Sequence, residues 1–554
     1  MLGADGAGNL RGFFMTIFDL VRSEARTESR ELFVTATLAG ASNAIILSLV
    51  DDAASTPSDQ KVRLFVLMGL SVALYVSCAR RTFQRTTKII ENALQKIKMR
   101  LLEKINQAEL AEIEGIGTSV IYDRLTENIS VISDSAGHIA NVLQSVFIVV
   151  GASLYILSVS MTGFVILVLL TVTGILLWLM QRKQVREQLD IAASKRVTFI
   201  EQLMDLLKGF KEIRLGRKRA TDILRDISTT VDESRKATIN ASNLFNDSHI
   251  LGQCVLFALL ASVTFVLPEN VAIEDSQLMK LVGAVLFLWG PLGGVVGGVP
   301  QYMRSNRALA NVHALEEKIQ HATRGRIKPE EATDPWSGQF ETIEISDVRY
   351  AYPADRAGQP FRIGPMNLTI GKGEVIFVVG GNGSGKSTFM KVLCGLYGAS
   401  DGRILVDRVA VRGDNRAAYR EMYSAIFSDF HLFSRLYGLL NVDARSVRDL
   451  LQQMQLDDKT SFEDGRFTKR DLSTGQRKRL AMVVALLEDR PIFLFDEWAA
   501  DQDPEFRHYY YEELLPSLKK KGKTILAISH DDRYFHCADR VITLEYGNVR
   551  SIET

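Results

Sequence analysis

Cysteine is scarce: the 554 residues hold four, Cys78, Cys254, Cys394 and Cys537, all far apart. That excludes a disulfide framework and a short-spaced cysteine metal motif, and leaves small core filler as the expected role. An excess of one charge is also missing. Sixty-six basic residues stand against 65 acidic ones, a net charge of +1. The total therefore carries no electrostatic footprint for nucleic acid or for a strongly acidic partner. The opening stretch MLGADGAGNLRGFF has no short apolar core followed by a small-residue cleavage site. No signal peptide is expected there. What the chain has in quantity is apolar sequence, 47% of its residues, spread very unevenly. The length exceeds that of one domain.

The uneven spread points to a membrane. Six apolar segments lie in the first three hundred residues, at about 32–50, 62–78, 139–157, 163–180, 250–267 and 278–299. Each approaches the roughly 20 residues that cross a bilayer as a helix. Ahead of them, Gly12–Arg30 mixes Phe13, Phe14, Ile17 and Leu20 with charges at helical spacing. That suits either an amphipathic helix on the membrane surface or a cytosolic lead-in helix. Arginines and lysines flank one end of the spans: Arg22, Arg26 and Arg30, then Arg80, Arg81 and Arg85, then Arg182 and Lys183, then Arg304 and Arg307. The opposite loops are short and poor in basic residues, which places both termini in the cytoplasm. The two long charged connections, near Ala79–His138 and Gln181–His249, read as helices running on into the cytosol. Short helices are expected at their tips, near Ala108–Gly115 and Arg217–Arg225, touching the domain formed by the second half of the chain.

Polar residues in or beside the spans, Asn43, His138, Asn141, Gln144, His249 and Gln253, suit either hydrogen bonds between helices or contact with a transported molecule. The last span reads WGPLGGVVGGVP. Gly293/Gly297 and Gly294/Gly298 repeat the small-x-x-x-small spacing of close helix packing, and Pro291 and Pro300 suit a kink.

The chemistry lies in the second half. GGNGSGKST, Gly380–Thr388, fits G-x-x-x-x-G-K-[ST] and sits between an apolar run, Val375–Val379, and a helix-like run, Phe389–Leu396. Such a loop turns backbone N–H groups onto phosphates at a helix N-terminus. Lys386 is expected to reach the β- and γ-phosphates, and Ser387 to hold Mg²⁺. Asn382, Gly383, Ser384, Gly385 and Thr388 complete the cradle, so ATP and Mg²⁺ are the expected ligands. Farther on come LSTGQ (Leu472–Gln476), opening a helical run over Arg477–Leu487, the buried strand-like IFLFDE (Ile492–Glu497), and TILAIS (Thr524–Ser529) ending at His530.

In this order and spacing the motifs resemble the ATP-binding cassette over about 200 residues, and with six spans in front the chain resembles a half-size ABC exporter that works as a dimer. The resemblance implies a fold: an all-α six-helix transmembrane domain followed by an α/β P-loop domain. It also implies roles. Asp496 resembles the aspartate that positions Mg²⁺, Glu497 the carboxylate that polarises the attacking water, and His530 the switch histidine. Asp503 resembles the loop aspartate at the dimer interface, and Tyr352 the aromatic that stacks on adenine. Ser473, Thr474, Gly475 and Gln476 form the signature, in which Ser473 and Gly475 would face ATP on the other chain. The sequence departs from the family's pattern at Thr474, where glycine is usual. A second departure is AIFSDFHLF (Ala425–Phe433), where Ser428 stands in the place of the Q-loop glutamine.

GGNGSGKST, FSDFHLF, LSTGQRKRLA, FLFDEWAADQDPEFR and ISHDDRYF together resemble the cyclic-peptide exporter group, which includes pyoverdine-type, syringomycin-type and microcin-type exporters. The implied organisation is a lead-in helix over 1–30, a transmembrane domain over 31–321, a linker over 322–338 and a cassette over 339–554. The short lead-in leaves no room for a leader-peptide protease, so the cargo is expected mature. The implied partners are a second copy of the chain, membrane lipids and a peptide substrate, in a bacterial inner membrane. A lipid or multidrug exporter and an ATP-gated membrane regulator are the alternatives.

Overall fold

The computed structural model describes residues 28–55, 58–323, 333–352 and 361–554. The expected lead-in helix up to residue 27, and residues 324–332 of the expected linker, lie outside them. The chain separates into two compact units, Met1–Ala108 with Glu112–Ala322, and Glu109–Ala111 with Thr323–Thr554.

In the first unit the described residues are helical almost throughout. Its long helices are α1 (Glu28–Ser55), α2 (Ser58–Gln107), α6 (Ala136–Val159), α7 (Met161–Lys208), α9 (Arg217–Ala261), α11 (Asp275–Phe287) and α12 (Trp289–Thr323). The short ones are α3 (Leu110–Ile116), α4 (Thr118–Leu125), α5 (Glu127–Asp134), α8 (Phe210–Leu215) and α10 (Leu267–Asn270). With 50 residues, α2 is about 75 Å long, over twice a hydrocarbon core of about 30 Å. Such a helix must leave the bilayer and continue well beyond it.

Among the described residues, five helical stretches are long and apolar enough to cross a membrane: Arg30–Ala53, Lys61–Gln107, Thr118–Val159, Arg217–Asn270 and Asp275–Gln320. Met161–Leu177 is a shorter apolar stretch. The expected span over 163–180 runs into residues 178–180, whose side chains are outside the description. The outer faces of these helices are apolar and bare: Phe65 is 76% exposed and Phe265 72%. Side chains of this kind are stable in lipid and costly in water.

Glycine sets the closest helix crossings. A Cβ on Gly40 of α1 would fall 2.7 Å from the Phe147 backbone of α6. A Cβ on Gly298 of α12 would fall 2.1 Å from Val142 Cγ2, and one on Gly294 2.6 Å from Ser145 Oγ. Gly293 and Gly297 meet nothing within 4 Å. Of the two glycine pairs in the last span, only Gly294/Gly298 therefore packs a neighbour. α12 continues through Pro300, whereas the helix ahead of Pro268 opens into a π-helical turn, Ser262–Val266. Proline has no N–H for the ordinary helical bond, and the local widening absorbs the missing bond.

The short helix expected over Arg217–Arg225 is corrected by the structure. Arg217 opens the 45-residue α9, and the short helix is α8, which ends just before it. Gly209 and Gly216, which bracket α8, interrupt an otherwise continuous helical sequence, as glycine does by its backbone freedom. At the first tip the short helix is α3. Just before it, Glu109, which groups with the second unit, pairs with Arg416 at 2.7 Å.

In the second unit the strands are β1 (Thr342–Ala351), β2 (Arg362–Gly371), β3 (Val375–Val379), β4 (Asp401–Val406), β5 (Val409–Ala410), β6 (Tyr423–Ile426), β7 (Phe462–Glu463), β8 (Arg466–Phe467), β9 (Ile492–Asp496), β10 (Thr524–Ile528), β11 (Arg540–Glu545) and β12 (Asn548–Glu553). One sheet is antiparallel with order β2-β1-β4-β5, and a second runs β12-β11-β3-β10-β9-β6. In the second sheet β11, β3, β10, β9 and β6 are parallel. Every residue of β9 and β10 is buried, as expected for parallel strands covered on both faces. Helices α13 (Lys386–Leu393), α14 (Arg416–Glu421), α15 (Ala444–Gln453), α16 (Thr474–Glu488), α17 (Pro504–His508) and α18 (Leu515–Lys520) follow the strands.

Candidate nucleotide site

Strand order builds the site. β3, β10, β9 and β6 are neighbours, and all four run the same way. The residues that leave their carboxyl ends must then meet along one edge, the usual place for a ligand in an open parallel sheet. Leaving β3 is the loop Gly380–Gly385; β10 leads to His530, β9 ends in Asp496 and Glu497, and β6 leads to Ser428.

The loop depends on its glycines. Gly380, Gly383 and Gly385 all have positive φ, of 148°, 77° and 97°. A Cβ on Gly380 would meet Leu544 O at 2.2 Å, and one on Gly385 would meet Ile363 Cγ2 at 2.9 Å. Gly385 caps α13, which carries Lys386, Ser387 and Thr388 in its first turn. Lys386 is 6% exposed, and its Nζ donates to Gly380 O at 3.0 Å and Gly381 O at 3.1 Å. Both partners are neutral. Ser384 Oγ is buried and has no hydrogen-bond partner among the described residues. A buried cation with no counter-charge among the described residues, an unsatisfied hydroxyl and a helix N-terminus together fit a phosphate.

Asp496, 2% exposed, ends β9. Burial raises its carboxyl above the ordinary carboxylate range, and hydrogen bonds from Ser387 and Ser428 oppose the rise. The Ser428 N–H contributes at 3.4 Å to Oδ2. A buried carboxylate met by neutral donors, one of them the Ser387 hydroxyl, is a donor set that fits a hard divalent cation such as Mg²⁺. Glu497, next along, has φ of 52°, a left-handed backbone that costs a non-glycine residue on the order of 1–3 kcal/mol. Its Oε1 lies 2.9 Å from His530 Nε2. The backbone turn is held from behind: Lys478 Nζ donates to Glu497 O at 2.6 Å, and the buried Trp498 donates Nε1–H to Lys478 O at 2.9 Å. Chemically, the arrangement offers a carboxylate for orienting water, an imidazole that fixes that carboxylate, and an ammonium and amide cradle for phosphate.

Tyr352 reaches the same edge. Its hydroxyl lies 3.1 Å from Thr388 Oγ1, and its ring packs edge-on against Tyr350 and Tyr397. Asn382 and Gly383 form the turn of the phosphate loop.

The structure does not bring Ser473–Gln476 or Asp503 to that loop. Ser473 caps α16, accepting from the Gln476 N–H while Gln476 reaches back in a capping box. Gly475 O accepts from Gln502 Nε2 at 3.2 Å, and a Cβ on Gly475 would fall 2.6 Å from Asp501 O. Asp503 caps α17 through the Phe506 N–H at 2.8 Å. That bond first, then Arg479, holds its carboxyl below the ordinary range. These residues form a second, separate group on the same unit, with Thr474 exposed at the start of its helix.

Two residues that the motif reading passed over tie this group together. Lys478 is buried and joins Glu497 O to Asp501, 2.6 Å from Nζ. Arg479 pairs with Asp503, donates Nε–H to Gln502 at 2.8 Å, and lies 3.6 Å over the Phe506 ring. A signal was available: Arg477-Lys478-Arg479 puts three cations in the first turns of a helix, against its dipole, so partners were required.

In the membrane-facing unit the polar candidates are dispersed. Gln144 is buried, and His249 Nε2 lies 3.1 Å from Gln253 Nε2 one turn along the same helix. Asn141 Nδ2 would lie 3.3 Å from a Cβ on Gly294. His138 lines a cavity of about 120 Å³ with Val142, Gly298 and Tyr302. Asn43 is half-buried on α1. Of the cysteines, Cys78 and Cys394 are buried, as filler requires, whereas Cys254 is exposed.

Comparison with known proteins agrees with the fold. The ABC transporter family pattern matches residues 363–500. The ATP-binding protein SyrD of Pseudomonas syringae pv. syringae is 32% identical over 94% of this chain and 93% of its own. An ATP-dependent lipid A-core flippase from Blochmanniella pennsylvanica is 24% identical over 78% of this chain and 75% of its own. Among solved structures, a bacterial Atm1-family ABC exporter with ATP bound superposes with a TM-score of 0.78 at 15% identity, covering 96% of each chain.

Proposed function

The chain belongs to the ABC transporters, and from that membership we propose that it is a homodimeric half-size exporter carrying a cyclic or nonribosomal-type peptide, of siderophore, lipopeptide or microcin-like kind, across a bacterial inner membrane. It is a multi-pass membrane protein and an ATPase coupled to export. The peptide reading is supported by the motif set of the cassette and by similarity to SyrD that runs the length of both chains. The basic flanks support cytoplasmic termini.

One observation carries the catalytic assignment: the phosphate loop, Asp496, Glu497 and His530 leave adjacent parallel strands at one edge. Lys386 and the loop amides bind the β- and γ-phosphates, with Tyr352 beside the base. Ser387 and Asp496 would hold Mg²⁺, which supplies charge neutralisation on the phosphates. Glu497, oriented by His530, positions the attacking water. Ser473 and Gly475, remote from their own chain's loop, close over nucleotide on the second copy. Asp503 and Arg479 brace that surface, and Ser428 senses Asp496 from β6.

A lipid cargo is the second reading, favoured by the lipid A-core flippase among the relatives. The decisive experiment measures ATPase activity of the chain in lipid nanodiscs against peptide siderophores, cyclic lipopeptides, lipids and hydrophobic dyes, with Glu497→Gln as blank. Saturable stimulation by one peptide class is expected, with turnover in Glu497→Gln lower by about a hundredfold or more and ATP binding kept. Stimulation by lipids alone transfers the assignment to lipid export. ATP-driven uptake of the stimulating peptide into sealed inverted vesicles is the accompanying expectation; ATPase without uptake would identify an ATP-gated regulator instead.

A further inference from the structure

Away from the nucleotide, three side chains with different donor atoms converge: Glu512, His536 and Cys537. Glu512 lies on the π-helical turn Tyr509–Leu514, and His536 and Cys537 end a 3₁₀ turn, Asp532–Cys537, that begins just after His530. His536 Nε2 is 3.1 Å from Glu512 Oε1 and 3.4 Å from Cys537 Sγ. All three donor atoms lie within 4.8 Å of one another.

The two separations from His536 are close to those of a coordination shell. A tetrahedral ion with bonds of about 2.0–2.3 Å holds its ligand atoms about 3.3–3.6 Å apart. One imidazole, one thiolate and one carboxylate select a borderline ion of the Zn²⁺ class over Mg²⁺ or Ca²⁺, which take oxygen alone. Three protein donors leave a fourth position for water. The two backbone segments are already fixed against each other: Tyr534 stacks on Tyr511 at 4.4 Å, and Tyr511 OH lies 2.8 Å from Ser529 Oγ. The ligands therefore need little reorganisation to close on an ion. His536 is exposed and Glu512 and Cys537 are half-exposed, so an ion reaches them directly.

We propose that Glu512, His536 and Cys537 form a binding site for a Zn²⁺-class ion, distinct from the Mg²⁺ expected with nucleotide. Binding replaces the thiol proton, which passes to solvent, and the imidazole, carboxylate and thiolate displace water ligands from the hydrated ion. A bound ion ties the turn that follows His530 to the Tyr509–Leu514 segment.

The test uses Co²⁺ as a spectroscopic probe on the full chain in nanodiscs, without nucleotide. A thiolate-to-cobalt charge-transfer band that saturates at one ion per chain is expected, displaced by Zn²⁺ and unaffected by Mg²⁺. Cys537→Ser should abolish the band, and His536→Ala and Glu512→Gln should each raise the half-saturating concentration by more than about tenfold. Cys254→Ser, which removes the exposed cysteine elsewhere, should leave it intact. Unchanged basal ATPase in Cys537→Ser shows that the variant is folded. Absence of the band in the wild type, its survival in Cys537→Ser, or its loss in Cys254→Ser overturns the proposal.

Discussion

At Ser428 the Q-loop departure has a local explanation. The N–H of this residue, not only its side chain, bonds to Asp496, so part of the link from β6 to the buried carboxylate is independent of side-chain identity. Ser428→Ala should accordingly lower ATPase by no more than about tenfold, the loss of one hydrogen bond to a charged group. Steady-state ATPase at saturating ATP and Mg²⁺ checks this, and a loss of a hundredfold would assign the hydroxyl a role in the reaction itself. Lys386 and Ser384 differ from Ser428 in kind. One is a buried charge with neutral partners and the other a buried hydroxyl with none among the described residues, and both suit a phosphate at the loop.

Helix packing is decided by which face a glycine occupies. Gly297 and Gly298 are neighbours in sequence, yet only Gly298 abuts α6, where Val142 is stiff at χ1 and cannot turn away freely. Gly298→Ala should destabilise the transmembrane unit by about 1–3 kcal/mol through overpacking, and Gly297→Ala should be neutral. Thermal unfolding in nanodiscs, followed by tryptophan fluorescence, distinguishes them; equal shifts would remove the α6–α12 contact from the account. Element boundaries follow similar local causes. Gly209 and Gly216 isolate α8, and Pro268 opens the π-helical turn before it.

For the molecule as a whole, the question is how one chain finishes a site when its signature residues bond elsewhere. Ser473–Gln476 are engaged with one another, with Gln502 and with the Asp501 turn, away from the loop at Gly380–Gly385. A second copy related by a two-fold axis would present its signature to the loop of the first, giving paired composite sites. Lys386→Ala and Ser473→Arg should each abolish ATPase as homodimers. Co-expressed and purified as a mixed dimer through different tags, they should recover activity, because one loop and one signature remain intact and face each other. A mixed dimer as inactive as its parents would falsify pairing across chains.

The sequence by itself determined the phosphate loop, the apolar spans and the order of the cassette motifs. These depend on local spacing: glycines at positive φ, β-branched runs, and uninterrupted apolar stretches. Val375–Val379 is β3 as read, and Ile492–Glu497 departs from β9 only at Glu497, which turns left-handed. Only the tertiary structure decided which strands adjoin, and hence that residues far apart in sequence, Lys386, Asp496 and His530, share an edge. It alone separated Gly294/Gly298 from Gly293/Gly297, because both pairs have the same spacing and differ only in what lies opposite. It alone brought Cys537 beside Glu512, since a metal-like donor set assembled from two turns leaves no periodicity for a sequence to display.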